Sequence, residues 1–176
     1  MKTTLYDATV AAFIQHLSAL EGILKIGRKH CEATGIDLTE MLNSRIYETM
    51  LPLRYQVQAA IGHSVDAIEG IKGGVFKPPY GTPTDDFDAL QARLHEAVTQ
   101  LKAYSREEIN ALEDKDVVFN LGEIQMPFTG EGFLLTFSLA NMHFHATTAY
   151  DIFRMKGAPL GKKDYVGNIR LKAKPA

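Results

Sequence analysis

The chain of 176 residues has one cysteine and no tryptophan. With Cys31 alone no internal disulfide can form, so a disulfide-stapled secreted scaffold is excluded. No stretch approaches the ~18 consecutive apolar residues of a membrane span. A signal peptide needs an uninterrupted apolar run near the start, and Asp7 breaks that pattern. These absences predict a cytoplasmic protein. Excess charge is also lacking: 19 Lys and Arg against 21 Asp and Glu leave a net −2. No global field therefore draws in nucleic acid or an anionic membrane, and Arg170, Lys172 and Lys174 make only a short basic tail. Several catalytic signatures are missing as well. Gly73-Gly74 lacks the spacing of a phosphate loop, no His-Glu-x-x-His occurs, and no serine sits in a nucleophile elbow. His30 and Cys31 are neighbours on a helix and point in different directions. Asp85-Asp86 and Glu107-Glu108 read as acids suited to helix N-termini rather than as a catalytic pair.

What remains is an ordinary globular balance, 45% apolar and 23% charged, over a length that buries a core as one domain, residues 1–176. Tyr6, Val10, Phe13, Ile14, Leu17, Leu20 and Leu24 recur at helical steps, predicting a helix from Leu5 to Thr34 that Gly35 ends. Gly22 and Gly27 inside it mark a bend or a close approach. Asp37 with Glu40 has capping-box spacing and predicts a short helix over Leu38 to Asn43. Pro52 suits the first turn of a second long helix running to about Lys72, with the stripe Leu53, Val57, Ala60, Ile61, Ser64, Ile68 and Ile71. Residues 75–82, rich in Pro and Gly around Pro78, Pro79, Tyr80 and Gly81, predict a loop. Thr84 is the expected N-cap of a third long helix with stripe Phe87, Leu90, Leu94, Val98, Leu101 and Tyr104, and Ser105 to Glu108 signals a fresh start to about Leu112. The period then changes from Val117 to Met126, which predicts a short β-hairpin or a paired extended segment. A last long helix runs from about Glu131 to Lys156 before Gly157 and Pro159. The expected fold is all-α: an up-and-down four-helix bundle with a short hairpin before its last long helix.

The last helix turns polar groups inward. Leu134, Phe137, Ser138, Asn141, Phe144, His145, Thr148 and Ile152 fall on one expected stripe, and Asn141 and His145, four apart, are neighbours on one face. Buried polar groups need partners, so this stripe predicts a hydrogen-bond network, a water, a ligand or a metal. On the second helix Ala59, Ala60, His63, Ala67 and Gly70 share a side, and the small residues leave room beside the His63 ring. Asp66 is placed to orient that ring. His16, His30 and His95 read as surface, and His143, about 200° round the helix from His145, as boundary.

The run Phe144-His145-Ala146-Thr147-Thr148-Ala149-Tyr150-Asp151-Ile152-Phe153-Arg154, with Gly157, Pro159 and Gly161-Lys162-Lys163-Asp164-Tyr165, resembles the C-terminal signature of a bacterial and fungal domain-of-unknown-function family, number 1993. Leu51-Pro52-Leu53-Arg54-Tyr55-Gln56-Val57-Gln58 with His63, and Phe87-Asp88-Ala89-Leu90-Gln91-Ala92-Arg93, are similar to its second and third helices. That family belongs to the DinB/YfiT-like metalloenzyme superfamily. The resemblance implies the same bundle and a divalent metal, often nickel or zinc, held by one histidine of the second helix and a His-x-x-x-His on the last. His63 matches the first of these and His145 the last. Asn141 stands where the remaining histidine belongs, so the third ligand is missing. Met155 and Lys156 depart from the His and Asn expected before the glycine.

The expected ligand-binding set is therefore His63, Asn141, His145, Thr148, Tyr150, Arg154 and Lys162. His63 and His145 are the metal candidates. Arg154 and Lys162 would receive an anionic group at the mouth of the bundle, and Tyr150 would close a pocket. Asp164 is expected to pair with Lys162, Lys163 or Arg154. Two functions compete: a bundle binding a small molecule or a divalent metal, and a non-enzymatic structural or interaction protein, a homodimer with His145 in a satisfied network.

Overall fold

Apolar stripes at helical spacing become four long helical stretches. The computed structural model describes residues 3–79 and 81–172. Tyr80 of the Pro-rich loop and Lys174 of the basic tail lie outside the described residues. Helix α1 (Leu5–Ala8) runs into α2 (Val10–Thr34), with a break at Thr9 that the periodicity did not reveal. A short α3 (Leu38–Asn43) follows, the Asp37 side chain accepting from the Glu40 amide as its spacing predicts. The second long stretch is α4 (Leu53–Ile61), a π-helical turn (Gly62–Asp66) and α5 (Ala67–Gly73). After strand β1 (Val75–Phe76) come α6 (Phe87–Ala103) and α7 (Arg106–Asn110). Strands β2 (Asp116–Leu121) and β3 (Ile124–Thr129) precede the fourth stretch: α8 (Gly130–Gly132), a second π-helical turn (Phe133–Ser138) and α9 (Leu139–Met155). A one-turn α10 (Lys162–Val166) packs back on α2.

The architecture is mostly helical with a small three-stranded sheet. Helix α2 lies along α6 and α9, and α4 lies along α9 and α6. The stripes of the second and third helices are buried as read, from Leu53 and Val57 to Ile71 and from Phe87 to Tyr104. At Gly27 a Cβ would stand 2.1 Å from the Phe153 ring. That glycine marks a close helix crossing; nothing in the structure explains Gly22, which has open space beside it. The stretch Leu5–Thr34 is long and apolar enough, by length and composition, to cross a membrane. Its most apolar residues, Phe13, Leu17, Leu20, Ile23 and Leu24, are here buried in the protein core.

Three expectations change. The third helix starts at Phe87 with Asp86 rather than Thr84 as N-cap, because the Asp86 carboxylate accepts from the Ala89 amide. The loop over residues 75–82 opens with β1, which pairs in parallel with β2 at Val75↔Val118 and Phe76↔Phe119, while β2 and β3 pair antiparallel. A two-residue strand has no periodicity to read and exists only through its partner.

The largest change is one of phase. From Leu134, ideal 3.6-residue stepping continues through 137/138, 141, 145, 148 and 152. The buried stripe instead runs Leu134, Ser138, Met142, Ala146, Ala149 and Phe153, with Ile152 beside it. The π-turn at Phe133–Ser138 inserts one extra residue and turns the inner face toward positions one later, while Thr148 and Ile152 stay buried at its side. Phe144, expected inside, is 57% exposed for that reason.

Candidate functional site

The same shift carries Asn141 and His145 from the centre of the stripe to its edge, where both are half-buried. There they meet the second helix. His63, in the π-turn of that helix, is 6% exposed, and its ring lies nearly parallel to that of His145, at 11° with centroids 5.9 Å apart. Tyr55 stands edge-on to His145 with ring centroids 6.0 Å apart, and Phe76 and Phe137 flank His63 at 5.5 and 5.6 Å. Small residues make this possible: Ala59, Ala60 and Ala67 are buried, and a Cβ on Gly70 would stand 2.9 Å from that of Phe76.

Between these groups lies a cavity of about 340 Å³. It is lined by Leu51, Tyr55 and His63 of the second helix and its approach, by Phe137, Asn141 and His145 of the fourth, by Phe119 and Leu121 of β2, and by Pro78, Pro79, Gly81 and Thr82. Among the described residues no Lys, Arg, Asp or Glu lines it. A larger groove, about 430 Å³ between α2 and residues 163–168, carries none of the histidines.

Hydrogen bonding gives the site its order. Gln56, 2% exposed, donates from Nε2 to the Leu51 carbonyl at 2.7 Å, and its Oε1 lies 2.7 Å from His145 Nδ1. An amide oriented by its own donor leaves oxygen facing the imidazole, which assigns the proton to Nδ1. His63 Nδ1 is buried without a hydrogen-bond partner. Asp66, the expected orienting group, is exposed and makes no hydrogen bond to the ring. Burial pushes both imidazoles down to about 4, with the nearby His145 adding to the effect on His63, so both are neutral at pH 7.

Of the seven residues expected at a site, His63, Asn141 and His145 come together, and four do not join them. Thr148 is buried and its hydroxyl donates to the Phe144 carbonyl one turn back. Tyr150 packs against Tyr165, their ring centroids 6.1 Å apart. Arg154 donates to the Ala158 carbonyl and closes its own helix end. Lys162 is exposed in the first turn of α10. Asp164 accepts from the Gly161 amide at 2.7 Å instead of pairing with a cation. His16, read as surface, is half-buried against His143, ring centroids 4.4 Å apart, and His143 Nδ1 lies 3.2 Å from the Tyr165 hydroxyl. His30 is half-buried and bonds the Lys156 carbonyl. His95 is exposed beside Glu21.

Among the site residues that the sequence reading passed over are Tyr55, Thr82, Phe119 and Leu121 on the cavity wall, and Gln56 behind His145. The signal of the last was present, since Gln56 lies four and seven residues before Ala60 and His63 and shares their face.

The sequence profile of the domain of unknown function DUF1993 matches residues 5–166. The chain belongs to the DUF1993 family. Its fold is similar to that of a DinB family member protein from Shewanella denitrificans, solved by crystallography, with a TM-score of 0.80 and 28% sequence identity over 97% of this chain and 96% of that one. No curated protein matches. The residues present do not fit the three-histidine centre that the sequence resemblance implies. Asn141 supplies an amide whose Nδ2 donates to the Phe137 carbonyl at 2.8 Å. Among the described residues no three His, Cys, Asp or Glu side chains cluster to hold an ion, and two imidazoles with an amide are a poor donor set for zinc or nickel.

Proposed function

We propose that this protein is an up-and-down four-helix bundle of one domain that binds a small molecule in the cavity between His63, Asn141 and His145. The observation that carries the reading is the cavity of about 340 Å³ with His63, Asn141 and His145 together on its wall. The cavity's volume, its apolar walls and its few convergent polar groups match small-molecule sites. Among the described residues no carboxylate, cysteine or serine lines it, so binding is the better supported activity. A divalent metal is the weaker occupant on donor chemistry.

The test is a screen of small aromatic fragments by thermal shift and by NMR of the histidine rings. Fragments should raise the melting temperature, move the His63 and His145 signals, and lose both effects in Asn141→Trp, which fills the space. Fragments that stabilise the filled variant equally well, or a screen without hits, would sink the reading.

One observation favours a second reading, a structural protein with His145 in a satisfied network: Gln56 already satisfies His145 Nδ1; the homodimer belongs to the same reading. His145→Gln should then lower the melting point without changing any ligand affinity. An unchanged melting point removes the network role, and a monomer in sedimentation equilibrium removes the homodimer.

A further inference from the structure

The polar groups of the cavity have a direction. Because His145 donates from Nδ1 to Gln56, a neutral ring must accept at Nε2. No described residue donates to that nitrogen, and the ring lines the cavity. Asn141 is a mixed group: its Nδ2 gives one of its two N–H donors to the Phe137 carbonyl, and its Oδ1 accepts. The Nε2 of His145, fixed as an acceptor, calls for a donor on the ligand. An anion would meet this acceptor and no described cation, while a cation would give up its hydration with no described carboxylate to replace it. Beside the hydroxyls of Tyr55 and Thr82 and the ring of His63, the rest of the wall is apolar and aromatic, with Phe119, Phe137 and the two prolines Pro78 and Pro79. Such a surface takes a planar ring by edge and face contact.

We infer that the cavity selects an uncharged aromatic molecule carrying a hydroxyl group, a phenol or aryl alcohol, whose O–H donates to His145 Nε2. The inference rests on the cavity being the ligand site and adds the charge and hydrogen-bonding sense of its ligand.

Calorimetric titration of the native protein near neutral pH with para-ethylphenol, para-ethylanisole and para-ethylbenzoate tests it. The phenol should bind about tenfold more tightly than its methyl ether, the scale of one well-placed hydrogen bond, and the benzoate should not bind. Equal affinity for phenol and ether overturns the donor requirement and leaves the cavity reading standing. Tightest binding of the benzoate overturns the selection for neutral molecules. If none of the three binds, while the fragment screen yields hits that Asn141→Trp abolishes, the inference falls and the site survives. In His145→Phe, folded by circular dichroism, the phenol and ether should become equal; a persisting tenfold preference overturns His145 as the acceptor. Nitrogen-15 spectra of native histidines supply a check that needs no variant: a proton on Nε2 of His145 in place of Nδ1 overturns the assignment.

Discussion

Gln56 and His145 join the second and fourth long helices through a 2.7 Å hydrogen bond from the imidazole Nδ1 to the amide oxygen. The bond is half of a relay, because the same amide donates to the Leu51 carbonyl just before α4 begins. One buried side chain thus holds the approach to its own helix and sets the tautomer of a ring on another.

Replacing that amide should be costly. Gln56→Leu leaves the His145 Nδ1–H and the Leu51 carbonyl without their partner. We expect a loss of about 1–3 kcal/mol, read from the urea midpoint at unchanged slope. A midpoint equal to that of the native chain would mean the relay contributes nothing.

Acid should destabilise the fold through its histidines. Burial pushes His63, His145 and His16 down to about 4 and lowers His143 as well, from an ordinary value of about 6.5. The folded state therefore resists protonation that the unfolded state accepts. The stabilisation is fully present above pH 6.5 and is lost as pH falls toward 4. Melting temperatures across that window should drop steeply, and less steeply in His16→Gln. A flat profile would contradict neutral, buried rings.

Metal uptake should follow the donor count. Asn141 borders the same cavity as His63 and His145, so Asn141→His brings a third imidazole to it. After dialysis against zinc or nickel and removal of free ion, that variant should retain about one metal per chain and the native protein less than ~0.2. Stoichiometric metal in the native protein would show that two imidazoles and an amide suffice.

The phase of the last helix predicts an inversion of ordinary expectations about large apolar residues. Phe144 is 57% exposed and Met142 is fully buried. Phe144→Ala should change stability by no more than about 0.5 kcal/mol, whereas Met142→Ala should cost about 2–5 kcal/mol. The opposite order in chemical denaturation would restore the uninterrupted helical period.

Gly27→Ala tests the crossing of the first and last long helices. A methyl at 2.1 Å from the Phe153 ring forces the pair apart, and overpacking of this kind costs about 1–3 kcal/mol. A variant as stable as the native chain would place the two helices farther apart than described.

Much of this was legible in the chain. The stripes Leu53 to Ile71 and Phe87 to Tyr104 obey one period from end to end, so their inner faces could be named from spacing alone. His63 with Asn141 and His145 was legible as a meeting point from the family resemblance, although the phase of the last helix sets Asn141 and His145 at the edge of its buried stripe. Thr148 and Tyr150 were not: Thr148 is buried as read, but its hydroxyl bonds the Phe144 carbonyl of its own helix, and Tyr150 packs against Tyr165. Arg154 and Asp164 were misjudged differently. Each satisfies a backbone group of its own helix end, and local bonds of that sort compete with the long-range pairing that charge alone suggests. Strand β1 was invisible because two residues carry no pattern.

The π-helical turn at Phe133–Ser138 has a bearing on comparison by descent. A π-turn is geometrically equivalent to one extra residue within an α-helix, and sequence alignments seldom open a gap inside a helix. Set against a relative whose last helix is regular, residues 139–155 would all be matched one place out of spatial register. The partner written beneath Asn141 would then occupy the place in space that belongs here to Met142, and ligand positions transferred column by column would miss the cavity by one residue.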